Sequence, residues 1–132
     1  MDKNLQTELN KRSVLSAKDL IAKKGLIEKK KTKNISIEVS ELGVMIFKTP
    51  TTEDLMDANE YSGRAQDFLV FNCSVEPNLR NQELQEAFGV ATPIEIVREL
   101  LLPGEIHNIA ELLSSSAGFN DESAKLVNDI KN

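Results

Sequence analysis

Between Asn34 and Val39 the apolar residues fall at alternate positions, and beyond Pro50 they fall at every third or fourth. That change of period limits the fold more than any other feature. Period two belongs to a strand with one face buried, and the longer period belongs to an amphipathic helix. Ile35, Ile37 and Val39 alternate with Asn34, Ser36 and Glu38. Residues 40–43 supply a turn, and residues 44–48 form a second β-rich run, so residues 34–48 read as a hairpin. A lone hairpin is barely stable in water. It must pack on helices or add to a sheet, in this chain or in another subunit. The expected fold is therefore α+β and mostly helical, with an N-terminal β-hairpin packed on a bundle of about five to six helices.

The helical signals are local. Ser16-Ala17-Lys18-Asp19 has the shape of a capping box, with Leu15 and Leu20 placed as a hydrophobic staple. The short helix it starts is expected to stop at Gly25, and the lysine cluster of Lys29, Lys30, Lys31 and Lys33 reads as a linker. Thr51 caps a helix with Glu53 and Asp54 in its first turn, reaching about Tyr61. Ala65, Phe68, Leu69, Asn72 and Val75 follow helical spacing, so residues 64–76 read as a helix ended by Pro77. A buried strand over residues 68–71 is the alternative. Residues 81–88 form a short helix closed by Gly89, and Thr92-Pro93-Ile94-Glu95 is the strongest helix start in the chain. After Pro103 and Gly104, Ile106, Ile109, Ala110, Leu113 and Ala117 make one apolar stripe, with Gly118 just past its end. Asn120-Asp121-Glu122 is expected to cap a last helix. Residues 1–15 read as a mobile polar arm and residues 16–132 as a single α+β domain, with the helical part at about 51–132.

Composition narrows the class of function. The 132 residues are 40% hydrophobic and 28% charged, ordinary for a globular domain. Aromatics are only 5%, so the core must be largely aliphatic. No apolar run reaches the roughly 18 to 20 residues that span a bilayer. The opening stretch MDKNLQTELNKRS lacks the apolar segment of a signal peptide, and Cys73 stands alone, so a reducing cytoplasm is expected. The net charge of −5 divides unevenly. Residues 1–33 hold ten Lys/Arg against four Asp/Glu, and residues 34–132 hold six against 17. An acidic body repels nucleic acid, whereas the basic arm could attract an acidic partner.

No catalytic constellation is visible. His107 is the only histidine, with no nucleophile placed beside it, and Cys73 reads as a small core residue. The carboxylates are scattered and the six glycines dispersed, so neither a metal site nor a phosphate loop is expected. Ser114, Ser115 and Ser116 read as small polar residues at a helix end. The chain is expected to be a binding protein and not an enzyme, with no cofactor.

The C-terminal third sharpens this. It reads Leu101-Leu102-Pro103-Gly104-Glu105-Ile106, a leucine-bearing helix, Ser116-Ala117-Gly118-Phe119, and a close on Asp129-Ile130-Lys131-Asn132. This resembles the XkdN-like tail assembly chaperones of phages and defective prophages of Gram-positive bacteria. That family steps through Leu-Pro-Gly-Glu-Ile into a helix, turns at Ser-Gly-Phe and ends in Ile-Lys-Asn. Here Ala117 precedes Gly118, and Ser116 lies one place earlier. Residues 68–75 with Pro77 are similar to the family's central helix, and the hairpin to its β portion, so the resemblance covers about residues 13–132. It implies a chaperone made in the host cytoplasm that binds the tape measure protein, with the tail tube protein as a second candidate partner. Such a chaperone keeps the tape measure protein soluble during tube assembly and does not remain in the virion. Neither nucleic acid nor membrane is expected as a partner, and the hairpin edges leave homo-oligomers open. Val97, Leu101, Ile106, Ile109, Leu113 and Phe119 are the candidate partner-binding residues, unless they are simply core. Two rival readings are a structural tail or head-tail connector protein, and a small nucleic-acid-binding regulator using the basic arm.

Overall fold

The computed structural model describes residues 14–127. Among these are seven α-helices, one 3-10 turn and three strands in one antiparallel sheet, an α+β fold that is mostly helical. Strands β1 (Asn34–Val39) and β2 (Gly43–Lys48) pair with Ile35 opposite Phe47 and Ile37 opposite Met45. Their turn uses left-handed backbone at Glu41 and Gly43. The inner face carries Ile37, Val39, Met45 and Phe47, all buried.

Helices α1 (Ala17–Ala22) and α2 (Lys24–Thr32) precede the sheet. The Ser16 capping box forms: the Asp19 N–H donates to Ser16 Oγ at 3.1 Å and the Ser16 N–H to Asp19 Oδ2 at 2.9 Å. These bonds, with backbone Ser16 the larger cause, hold the Asp19 carboxyl below its ordinary value. Helix α1 stops at Ala22, a little before the expected stop at Gly25, but α2 begins at once at Lys24. The Ile27 N–H reaches the Lys23 carbonyl, and α2 runs through most of the lysine cluster that read as a linker. Lysine is a good helix former, and cations in a last turn suit the helix dipole. Neither helix buries a residue.

Helix α3 (Thr52–Ala58) is shorter than expected but starts on the expected cap, with the Asp54 N–H donating to Thr51 Oγ1. Helix α4 (Ala65–Cys73) confirms the helical reading of residues 68–71. It is apolar nearly all round and packs chiefly on α7, with α3 and α6 as further neighbours. It ends at Cys73, where the chain extends into β3 (Ser74–Glu76), opposite Phe47 and Ile46 of β2. The expected helix to residue 76 is thus corrected: Glu76 precedes Pro77, which disfavours helical backbone there. Ser74 Oγ donates to the Phe71 carbonyl and accepts from the Leu79 N–H, which fixes the exit.

Helix α5 (Gln82–Phe88) is capped by Asn81 and closed by left-handed Gly89. Thr92 takes the cap position with Pro93 first in the turn, but its side chain accepts no backbone N–H. Its hydroxyl donates to Glu95 Oε2, and Pro93–Glu95 makes a 3-10 turn before α6 (Ile96–Leu100). Helix α7 (Pro103–Ser116) buries Ile106, Ile109, Ala110 and Leu113, the expected stripe. The last helix does not form over residues 121–127. Asn120 Oδ1 instead accepts the Glu122 and Ser123 N–H groups in a turn. The rest of that expected helix, and most of the polar arm, lie outside the described residues.

Candidate functional site

Of the six candidate partner-binding residues, Val97, Leu101, Ile106, Ile109 and Leu113 are buried in one core cluster. Only Phe119 is open, at 67% exposure, beside Glu111 and Ser114. Leu101 and Ile106 reach the surface at a second recess beside Asp67 and Arg98, whereas Val97, Ile109 and Leu113 lie inside the core.

A different surface has the shape of a site. A groove of about 870 Å³ lies where the α3–α4 turn, α4, the start of α5 and the 3-10 turn meet. Its floor is aromatic. The rings of Tyr61 and Phe68 stack with centroids 4.7 Å apart. The Arg80 guanidinium lies 4.5 Å from the centre of the Phe71 ring, a cation–π contact. Gln85 ties two walls together, its Nε2 donating to the carbonyls of Leu79 (2.8 Å) and Pro93 (3.0 Å). Arg64, Thr92 and Ile94 also line it. The turn that presents Arg64 relies on Gly63 at φ +74°, a conformation that favours glycine.

Arg80 is held from behind. Its Nη2 donates to Asn72 Oδ1 at 2.9 Å, and Asn72 Nδ2 donates to Asp54 Oδ1 at 2.6 Å. Asp54 Oδ2 accepts from the Lys48 ammonium and from the Thr51 N–H. A polar chain thus runs from the end of β2, through α3 and α4, to the groove. Burial pushes the Asp54 carboxyl up, but the Lys48 and Thr51 bonds outweigh it and hold it below the ordinary range.

The other cations of the acidic body explain why the two arginines stand out. Lys48 pairs with Asp54, Arg98 with Asp67 and Lys125 with Glu122. Among the described residues Arg64 and Arg80 pair with no carboxylate, and both line the groove. Sequence reasoning missed this site. Its residues come from four separated stretches, and an unpaired arginine looks like any other until its neighbours are known.

The groups weighed for chemistry sit apart. His107 Nδ1 lies 3.0 Å from Gln66 Nε2. Cys73 is buried, which pushes its thiol up to about 11, away from reactivity. Ser116 Oγ donates to the Leu113 carbonyl. Among the described residues no three His, Cys, Asp or Glu side chains gather to hold a metal, and no helix is long and apolar enough to cross a membrane.

Comparison with known proteins follows the same lines. The family model described as phage XkdN-like tail assembly chaperone protein matches residues 24–131. No curated protein matches. The fold is similar to a crystal structure of the protein yqbn, with a TM-score of 0.54 and 23% identity over 67% of this chain and 87% of that one. At that identity the likeness speaks for the fold alone.

Proposed function

The chain belongs to the XkdN-like phage tail assembly chaperones, and from that membership we propose that its client is the tape measure protein. On this reading it holds the client soluble in the host cytoplasm while tube subunits polymerise around it, and it does not remain in the finished particle. The single observation that carries the proposal is the family match over residues 24–131.

The physical chemistry supports it. A long helical protein awaiting assembly exposes apolar stripes that associate through the hydrophobic effect. A chaperone for it needs an apolar recess to receive such a stripe and a charged exterior to keep the complex dispersed. The aromatic groove offers the first, and the acidic body the second.

The test is co-expression with the tape measure protein of the same phage. The expected result is a client that moves from the pellet to the soluble fraction and co-purifies with the chain, together with mature particles in which mass spectrometry finds no stoichiometric amount of the chain. A client equally insoluble with and without the chain would overturn the proposal. Stoichiometric presence in particles would favour a structural tail or connector role instead.

A further inference from the structure

We infer that the groove floored by Phe68 and Phe71 is the client-docking surface, and that it takes a segment presenting a carboxylate beside an apolar side chain. The inference rests on the chaperone reading and adds the chemistry of what is bound.

Residues 34–132 hold 17 carboxylate side chains and six cations. Carboxylates thus outnumber cations almost three to one, so a cation has many possible acidic partners. Three have one, yet Arg64 and Arg80 share a groove in which no carboxylate meets them among the described residues. The groove lining therefore holds two cations and no carboxylate, with Glu86 and Glu95 bonded to its Gln82 and Thr92 at the edge; the arginine end favours an acidic group of a bound segment. Arg80 sits over the Phe71 ring and is hydrogen-bonded to Asn72, so less side-chain entropy is lost when it meets a carboxylate. Its guanidinium carries five N–H donors, and one hydrogen bond to Asn72 leaves the others for a ligand. The stacked Tyr61 and Phe68 rings beside it give an apolar neighbour residue a surface to cover. An apolar segment alone would leave both guanidinium groups desolvated without partners, which is costly. A basic segment would face like charge.

The probe is a set of fluorescein-labelled 20-residue peptides tiling the tape measure protein of the same phage, titrated with the full chain. Arg64→Glu is the decisive variant, because the Arg64 side chain makes no hydrogen bond among the described residues and its change leaves the fold intact, as circular dichroism would verify. Lys125→Glu makes the same change in net charge on an exposed site away from the groove. The expected result is that the bound peptides carry Asp or Glu next to Leu, Ile or Phe. Arg64→Glu weakens them by about ten-fold or more, and Lys125→Glu leaves them within about two-fold. Replacing the peptide's acidic residue with Lys restores binding to Arg64→Glu. Equal effects of the two variants, selection of basic peptides, or displacement by a 20-nucleotide single-stranded DNA at equal affinity would each overturn the inference. So would a loss of self-association in Arg64→Glu with client binding unchanged, which would make the groove a contact between copies of this chain. Full-length client that co-purifies with wild type and Arg64→Glu alike overturns the groove and leaves the chaperone reading standing. Client that co-purifies with neither overturns both.

Discussion

Asp54 accepts hydrogen bonds from an ammonium, a backbone N–H and a side-chain amide at once, while 7% exposed. A buried carboxylate is tolerated only when so surrounded. Asp54→Asn should therefore lower stability at pH 7 by about 1–3 kcal/mol, since the lost bonds involve charged partners. The pH dependence has a definite sign. The folded carboxyl titrates below its ordinary value of 3.8. Its contribution is fully present above that value and disappears as pH falls through the lower, folded one. Urea midpoints of wild type and Asp54→Asn should thus differ at pH 7 and converge in acid. A gap that stays constant down to pH 2 would contradict the assignment. This residue's role was only half legible in the sequence. Its place in a capped first turn was readable, but its contacts with Lys48 and Asn72 depend on tertiary packing.

The elements divide by what they bury. The hairpin and α7 were readable because each repeats one period long enough to be recognised, and each has a buried face. Strand β3 was not readable, because three residues carry no period; Ser74–Glu76 is a strand only because β2 offers an edge. Helix α2 was misread because a run of lysines resembles a linker, whereas lysine costs a solvated helix little. The turn after α7 was misread because Asn120 serves equally as a helix cap and as the acceptor of a tight turn. Helix α1 gives the sharpest prediction at this level. Leu20 and Ile21 are exposed and lie in a helix that buries nothing. The double change Leu20→Ser, Ile21→Ser should shift the melting temperature by less than about 3 °C. Leu113→Ala, in the buried stripe of α7, should cost about 2–5 kcal/mol in the same assay. A large loss from the α1 change would mean that the helix is covered in solution.

At the scale of the whole molecule, the described residues set an aromatic recess lined by two arginines in an acidic body. The fold class was legible from periodicity, and the family from the C-terminal motifs, but the recess was not. Its lining is drawn from residues 61–64, 68–71, 80–85 and 92–94, and only the packing of α4 against its neighbours brings these together. Of the residues chosen from the sequence, Ile106, Ile109 and Leu113 follow the apolar stripe of α7; with Val97 and Leu101 they belong to the core cluster, and Phe119 is exposed.

The uncovered pair α1 and α2 has a consequence for how the chain would report on its own assembly. Backbone amides exchange with solvent deuterium as fast as their local opening allows, and a helix that buries nothing opens without disturbing the core. Amides of residues 17–32 should therefore exchange orders of magnitude faster than those of α4 and α7, which await global unfolding. That contrast is a built-in gauge: any partner that lies along this segment will slow its clock, and mass spectrometry of timed deuterium uptake in the assembling mixture will read when and for how long it is held.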